Sequence, residues 1–416
     1  MGNAEYMQKI SGKIGIFSIK YVLIFVYLFV HANRDLESNE ELVHIVSAVL
    51  IVFGIIYYFA KTGRKTASSY YIWLGLFFLW CFASTIWSVS LNRSMEYFLS
   101  IGLIYMCIIS IFIMINTYDE YILLLAVVAA VGIALMLYIF LNFNFLEILS
   151  SDRRLGYYSL NENWNSNEMA LTFMNSILTL SVLIKYTKRP YIRILTFIVI
   201  GLLTFMVFLT GSRRAIIGIV IYVSASYLIM TRHKIKTKLI HLAVILLSVP
   251  LIYRIMITNE GMYNKVGIRI ESMLQGLFNH VTEEKSFNEH MDMLTAGIRY
   301  FNNNPLFGNG LDSYRVLYRR DYGINLYSHN NYIELLSGIG IIGFCIYYGG
   351  YVFALYKIWI CIINSRNCVN TFLFSFLIAD LFVQLFYVGY SNLNGIFLIM
   401  LAFLYMKKNI CGYENG

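Results

Sequence analysis

Apolar runs of about 17–25 residues, separated by short polar turns, recur along nearly the whole chain, a length that lets a helix cross a hydrocarbon core of about 30 Å. The pattern places spans near 14–31, 42–60, 70–88, 97–115, 121–141, 168–185, 191–210, 214–230, 238–253, 332–362, 371–389 and 393–407. The first run lacks a small-residue cleavage site and is expected to remain as an uncleaved span. The tenth is longer than a bilayer requires and is expected to tilt or to project beyond the lipid. Two long polar interruptions remain, 142–167 and 254–331. In the second, Ser286-Phe-Asn-Glu289 has the form of a capping box, and Met291, Leu294, Ile298 and Phe301 recur at helical spacing until Asn304-Pro305. On that helix His290 falls at the edge of the apolar stripe, and Arg299 points about 180° away from it.

Composition agrees with the pattern. The chain is 59% hydrophobic and 13% charged, with three prolines in 416 residues, which excludes disorder and an ordinary soluble domain. The expectation is an all-α polytopic membrane protein of about twelve helices: a membrane domain over 1–253, an extracytoplasmic loop domain with short helices over 254–331, and a second membrane part over 332–416. The net charge of +9 does not imply nucleic acid, because its lysines and arginines cluster between spans. Lys9, Lys13, Lys61, Arg64, Lys65, Lys185, Lys188, Arg189, Arg232, Lys234, Lys236, Lys238, Arg366, Lys407 and Lys408 all fall on one side of the bilayer. That side is expected to be cytoplasmic, with both termini there. The six cysteines form no zinc or redox spacing.

The polar segments assigned to the outer side carry the candidate chemistry. At the corner between spans seven and eight, Thr210-Gly-Ser-Arg213-Arg214 sets two arginines at a helix N-terminus, where backbone N–H groups add positive potential. They read as a seat for an anion such as phosphate, or as headgroup-facing cations. Asp152-Arg153-Arg154-Leu-Gly precedes Asn161, Asn163, Asn165 and Asn167 around Trp164, a pattern that suits sugar recognition or an ordinary turn. Asp35-Leu-Glu37 is the nearest approach to a metal motif and reads as a solvated loop, so no metal and no cofactor are expected. The polar cluster Ser328-His329-Asn330-Asn331, with Glu334 one turn on, opens an apolar, glycine-dotted helix.

Together these pieces resemble the O-antigen ligase and Wzy-type polysaccharide polymerase family. The resemblance rests on Gly-Ser-Arg213-Arg, on Asn-Pro305-Leu-Phe-Gly308-Asn-Gly310, and on Ser-His329-Asn-Asn-Tyr-Ile-Glu334 with its Gly-Ile-Gly-Ile-Ile-Gly343 tail. Thr85-Ile-Trp-Ser88, Arg154-Leu-Gly and Asn167 add to it. The resemblance implies a GT-C-type glycosyltransferase that moves glycan from an undecaprenyl-pyrophosphate donor to a sugar hydroxyl, with inversion and without metal. Arg213 would meet the leaving pyrophosphate, and His329 would take or orient the acceptor proton. Arg214, Arg154, Asn167, Asn330, Asn331, Glu334, Gly308 and Gly310 would line the substrate. His290 stands where family members commonly carry an arginine, so either His290 or a loop arginine such as Arg269 or Arg299 would supply the second cation.

The first expectation is a polymerase of lipid-linked repeat units for capsule, O-antigen or exopolysaccharide, working beside a chain-length regulator and a flippase. A ligase passing finished glycan to another acceptor uses the same donor chemistry. A transporter predicts internal repeats and a polar pair at mid-membrane. No repeat is evident, and Asp380 with Gln384, one turn apart, reads equally as interhelical hydrogen bonding.

Overall fold

The computed structural model of the protein describes residues 19–33, 40–60, 68–150, 154–156, 164–230, 285–364 and 367–407, with isolated positions between 236 and 267. The expected span at 238–253, Arg269, Asp35-Leu-Glu37, Asp152, Arg153, Asn161 and Asn163 lie outside this description, apart from single positions. So do most of the flanking basic residues, among them Lys9, Lys61, Arg232 and Arg366.

The described chain is helical: α1 Ile19–Ala32, α2 Glu40–Ala60, α3 Ser69–Ser84, α4 Leu91–Met114, α5 Tyr118–Asn142, the short α6 Phe145–Ser150, α7 Ser166–Leu183, α8 Pro190–Leu209 and α9 Arg213–Met230. After the polar segment come α10 Lys285–Asn303, α11 Ser313–Tyr322, α12 Asn331–Asn364, α13 Cys368–Val383 and α14 Leu393–Tyr405. Seven of these are long and apolar enough to cross a membrane, and α1, α3, α13 and α14 are shorter apolar helices. The protein is an all-α polytopic membrane protein.

The ends of these helices are set by local chemistry that hydropathy does not register. Thr117 and Glu120 form a reciprocal capping box at α5, and Asn165, Asn367 and Asn392 cap α7, α13 and α14. The run expected to continue to 88 ends as helix at Ser84, and the run expected to reach 389 ends at Val383. Both apolar tails become irregular backbone that the site uses.

In lipid, helices associate through packing and hydrogen bonds rather than through hydrophobic burial. Ser176 on α7 donates to the Val128 carbonyl at 2.9 Å and accepts from Gly132 N at 3.1 Å, tying α7 to α5. α9 packs along α13, α2 along α4, and α12 against α3. Ile45, Phe59, Ile72, Leu79 and Phe197 are exposed on the outside of the bundle, as lipid-facing positions require. At one end Lys20 pairs with Glu120, and Lys407 donates to the Phe112 and Ile115 carbonyls. The candidate site lies at the other end.

There, α10 and α11 build a small second core with the start of α12, from Met293, Ala296, Tyr300, Tyr314, Leu317, Tyr318 and Ile333. The expected docking stripe is corrected by this arrangement. Met291 and Ile298 are exposed, and the helix instead lays down Met293, Ala296 and Tyr300. Close approach decides the face: a Cβ on Gly297 would stand 2.1 Å from Ile333 Cγ2, so Gly297 sits against α12 with Met293, Ala296 and Tyr300 around it, and Leu294 of the expected stripe packs at the edge.

The long tenth run is two helices. α12 breaks at Gly340, whose φ is 68° and ψ −176°. Breaking a helix frees carbonyls on one side and N–H groups on the other, which apolar surroundings do not tolerate unpaired. The segment 305–310 inserts there and meets both. Asn309 N donates to Ser337 O at 3.0 Å and Gly310 N to Gly338 O at 2.7 Å. Ile341 N and Ile342 N donate back to Pro305 O and Leu306 O at 2.9 and 3.4 Å. Trp80 Nε1 takes the Ile339 carbonyl at 2.9 Å, and Val89 N takes that of Asn309 at 3.0 Å. A side chain on Gly340 would need the left-handed region and would place Cβ 2.3 Å from Leu306 O. Gly340→Ala is therefore expected to cost more than about 2 kcal/mol, read as a lower melting temperature in detergent. Gly349→Ala, where a Cβ meets nothing within 4 Å, should leave stability equal or slightly raised.

Candidate active site

The lock at Gly340 leaves a nine-residue helix, 331–339, standing on the membrane part of α12, and His329 lies two residues before it. The Asn330 side chain caps this helix, accepting from Tyr332 N at 2.9 Å and Ile333 N at 3.1 Å. The buried Glu334 carboxylate accepts from Ser328 N at 2.9 Å, and Ser328 Oγ donates to Asn330 O at 2.8 Å. Gripped from both sides, His329 takes φ 52°, a conformation that a non-glycine residue holds only when its surroundings impose it. Its ring lies tilted against Tyr327 with centroids 3.9 Å apart and meets His290 edge-on at 5.4 Å. Burial comes first, and then His290, Arg214 and Arg315 nearby, in pulling its pKa from the ordinary 6.5 to about 3. The imidazole is neutral at physiological pH, as a proton acceptor must be.

Asn331 is turned into the protein. It is 0% exposed, and Nδ2 donates to Tyr348 Oη and Gln384 Oε1, both at 2.9 Å, while Oδ1 accepts from Tyr390 N at 2.9 Å. Asp380 accepts from Tyr351, Tyr387 and Gln384, so the polar pair of span eleven is an interhelical network. That network anchors the irregular segment 384–390, and through it Asn331 and the histidine loop. Gly308 and Gly310, also expected at the substrate, are buried against Gly338 and Ser88, and Glu334 is spent on Ser328. All four are buried among protein partners.

The arginine corner divides in two. Arg214 is 7% exposed: it pairs with Glu168 at 3.4 Å, donates to the Phe386 carbonyl at 3.3 Å, and lies 5.4 Å over the Tyr387 ring. Glu168 also accepts from Asn392 at 2.8 Å and Asn394 at 3.3 Å. Arg213 is half-buried and opens α9, where the N-terminal amides point the same way as its charge. Arg154 supports this corner, donating to Thr210 O at 2.7 Å and Asn167 Oδ1 at 3.1 Å, while Leu155 N donates to Leu209 O at 3.0 Å. Trp164 is buried against Tyr138 and Phe143, and Asn165 caps α7, so at these two residues the turn reading holds over the sugar platform.

On α11 the structure adds residues that the sequence did not single out. Asp312 is buried in a left-handed conformation and binds Arg93 at 2.7 Å. Burial pushes its carboxyl above the ordinary value against the pull of Arg315 and Arg93. Arg315 lies 5.1 Å over Tyr327, the ring that rests against His329. Arg299, weighed as a second cation, is exposed and paired with Asp321 at 2.6 Å. The Trp80, Trp87 and Phe307 rings cluster over the 305–310 insertion, with Trp87 Nε1 on Phe307 O at 3.2 Å. Among the described residues no three His, Cys, Asp or Glu side chains gather as a metal site would.

Residues 198–348 match the family model described as O-antigen ligase. The match runs from α8 through Arg213 and His329 into the membrane part of α12. No curated protein matches the chain. The matched family implies a glycan-transferring membrane enzyme with lipid-linked glycan substrates.

Proposed function

We propose that this chain, which carries an O-antigen ligase domain over 198–348, joins undecaprenyl-pyrophosphate-linked oligosaccharide units into a surface polysaccharide at the outer face of the cytoplasmic membrane. The observation that carries the reading is a neutral imidazole, His329, held in a strained conformation between Tyr327 and His290 at the bundle end that also bears the arginine corner. In the proposed reaction the acceptor hydroxyl attacks the anomeric carbon from the face opposite the pyrophosphate. Its proton passes to His329, and the C–O bond to phosphate breaks with its electrons moving onto the pyrophosphate. Arg213 and the α9 amides stabilise that developing charge. The configuration inverts. With so good a leaving group, positioning supplies much of the acceleration. The 331–339 helix, locked by Gly308, Gly310 and Gly340, holds the base still. The basic loops support cytoplasmic termini and an extracytoplasmic site, with a chain-length regulator and a flippase as partners.

A ligase is the second reading, favoured by the description of the matched family. Product length separates the two. Purified protein given a lipid-pyrophosphate-linked repeat unit, with chelator present, is expected to produce a ladder of lengthening products. A single transfer to an added foreign acceptor, with no ladder, would establish the ligase. Neither product from an authentic substrate, with lipid-linked sugar instead crossing vesicle bilayers, would overturn the transferase reading.

A further inference from the structure

Beside the arginine corner, α1, α5, α7 and α14 leave a cavity of about 50 Å³ between them. Glu168, Thr172 and Asn175 line it from one face of α7, at i, i+4 and i+7, so it follows that helix for about 10 Å. Asn392 and Asn394 line it from the start of α14, and most of the remaining wall is apolar, Val131 of α5 among it. Asn175 is 5% exposed. Its Nδ2 donates to Asn394 Oδ1 at 2.9 Å, while its Oδ1 is buried with no hydrogen-bond partner among the described residues. A carbonyl withdrawn from water and left unmet is costly. Asn392 and Asn394 each direct one amide N–H to Glu168 Oε2, at 2.8 and 3.3 Å, and the second N–H of each meets no described acceptor. The cavity therefore offers one acceptor, spare donors and an apolar wall, in room for about three or four water-sized groups.

Those features select among small groups. Glu168 repels a carboxylate, and its charge already meets Arg214 at 3.4 Å, so an ammonium group gains little. A lone hydroxyl would reach the Asn175 carbonyl and leave the apolar wall uncovered. An acetamido group, with its nitrogen, carbonyl and methyl, is the size of the space and meets each part of it. Its N–H suits Asn175 Oδ1, its carbonyl the amides of Asn392 and Asn394, and its methyl the wall at Val131. We propose that this cavity is a specificity pocket for the acetamido group of an N-acetylated sugar in the lipid-linked substrate. The proposal rests on the transferase reading and deepens it, since Glu168 belongs both to the cavity wall and to the arginine corner.

The test is a saturation-transfer NMR titration of the full chain in nanodiscs. Its probes are the methyl glycosides of N-acetylglucosamine and N-acetylgalactosamine, with methyl glucoside and methyl galactoside for comparison. At least one acetylated sugar is expected to bind about tenfold more tightly than its plain partner, with the strongest transfer to the acetyl methyl protons. Asn175→Leu, close in volume but without the carbonyl, should lose about tenfold for the acetylated sugar and leave the plain sugar unchanged. Should it fail to fold, Val131→Leu, which extends the apolar wall into the cavity, carries the same comparison. His329→Ala should keep the preference while losing the product ladder. Equal affinity for both kinds of sugar, or an Asn175→Leu variant that keeps the preference, would overturn the pocket. Binding of no sugar would overturn it too and leave the cavity to ordered water. A wild type that makes the product ladder without the preference overturns the pocket alone. One that shows the preference, yet transfers no glycan from an authentic substrate, supports the pocket and overturns the transferase reading.

Discussion

His329→Ala is expected to lower turnover by about 10²–10⁴-fold while the protein still folds. The side chain is half-buried, rests on Tyr327 and His290, and is not among the groups that knit α12 to α13. Its removal deletes the proton acceptor and spares the frame. His329→Gln, which positions a hydroxyl but accepts a proton poorly, should recover little, which distinguishes a base from an orienting group. The pH dependence is a second signature. With the native pKa depressed to about 3 from 6.5, the free enzyme keeps its base unprotonated down to acid pH. The acid limb of kcat/KM should therefore lie below pH 5, and a limb at 6–7 would mean that the imidazole keeps an ordinary pKa in the site. Stability has the same origin and the opposite ordering of states. Between pH 6.5 and about 3 the unfolded chain binds this proton and the native chain does not, so stability falls as pH falls. His329→Gln should flatten that part of the profile.

Arg213→Ala and Arg214→Ala should fail in different ways, although the two residues are adjacent. Arg213→Ala is expected to reduce kcat/KM by about 10²–10³-fold with little change in melting temperature, because its charge is used when the pyrophosphate leaves. Arg213→Lys should recover part of the activity and lose the bidentate fit. Arg214→Ala removes the partner of a mostly buried Glu168, together with the donor to the Phe386 carbonyl. Orphaning a buried carboxylate costs about 3 kcal/mol, so this variant should melt early whatever its residual activity. Adding Glu168→Gln should restore part of that stability, since the amide needs no counter-charge and still accepts from Asn392 or Asn394. If Arg214→Ala melts normally and Arg213→Ala does not, the division of roles is reversed.

Much of this molecule was legible from residue chemistry. A helix that crosses lipid must be apolar for most of its length, so every described membrane helix overlaps a run that hydropathy marks. His329 and Arg213 stand out because a histidine at a helix start and paired arginines at another are unusual in so apolar a chain. The functions of their neighbours were not legible in the same way. Asn330, Asn331 and Glu334 look alike as polar residues, yet one caps a helix, one is sealed into a tyrosine network, and one holds the backbone of Ser328. Arg315 sits on a short, charge-rich helix that reads as a solvated face, and only the fold sets it over Tyr327.

By itself the sequence determined the class of the protein, the approximate placement of its described spans and the two residues on which the proposed chemistry turns, because hydropathy and side-chain functional groups are properties of residues. The tertiary structure alone decided where α12 breaks, which face of α10 docks, and which arginine is buried and which stays half-open. Those outcomes depend on pairs far apart in the chain. Gly340 can break the helix because Pro305, Leu306, Asn309 and Gly310 arrive to satisfy its loose ends, and α10 turns Gly297 inward because Ile333 is there to fill the space beside it.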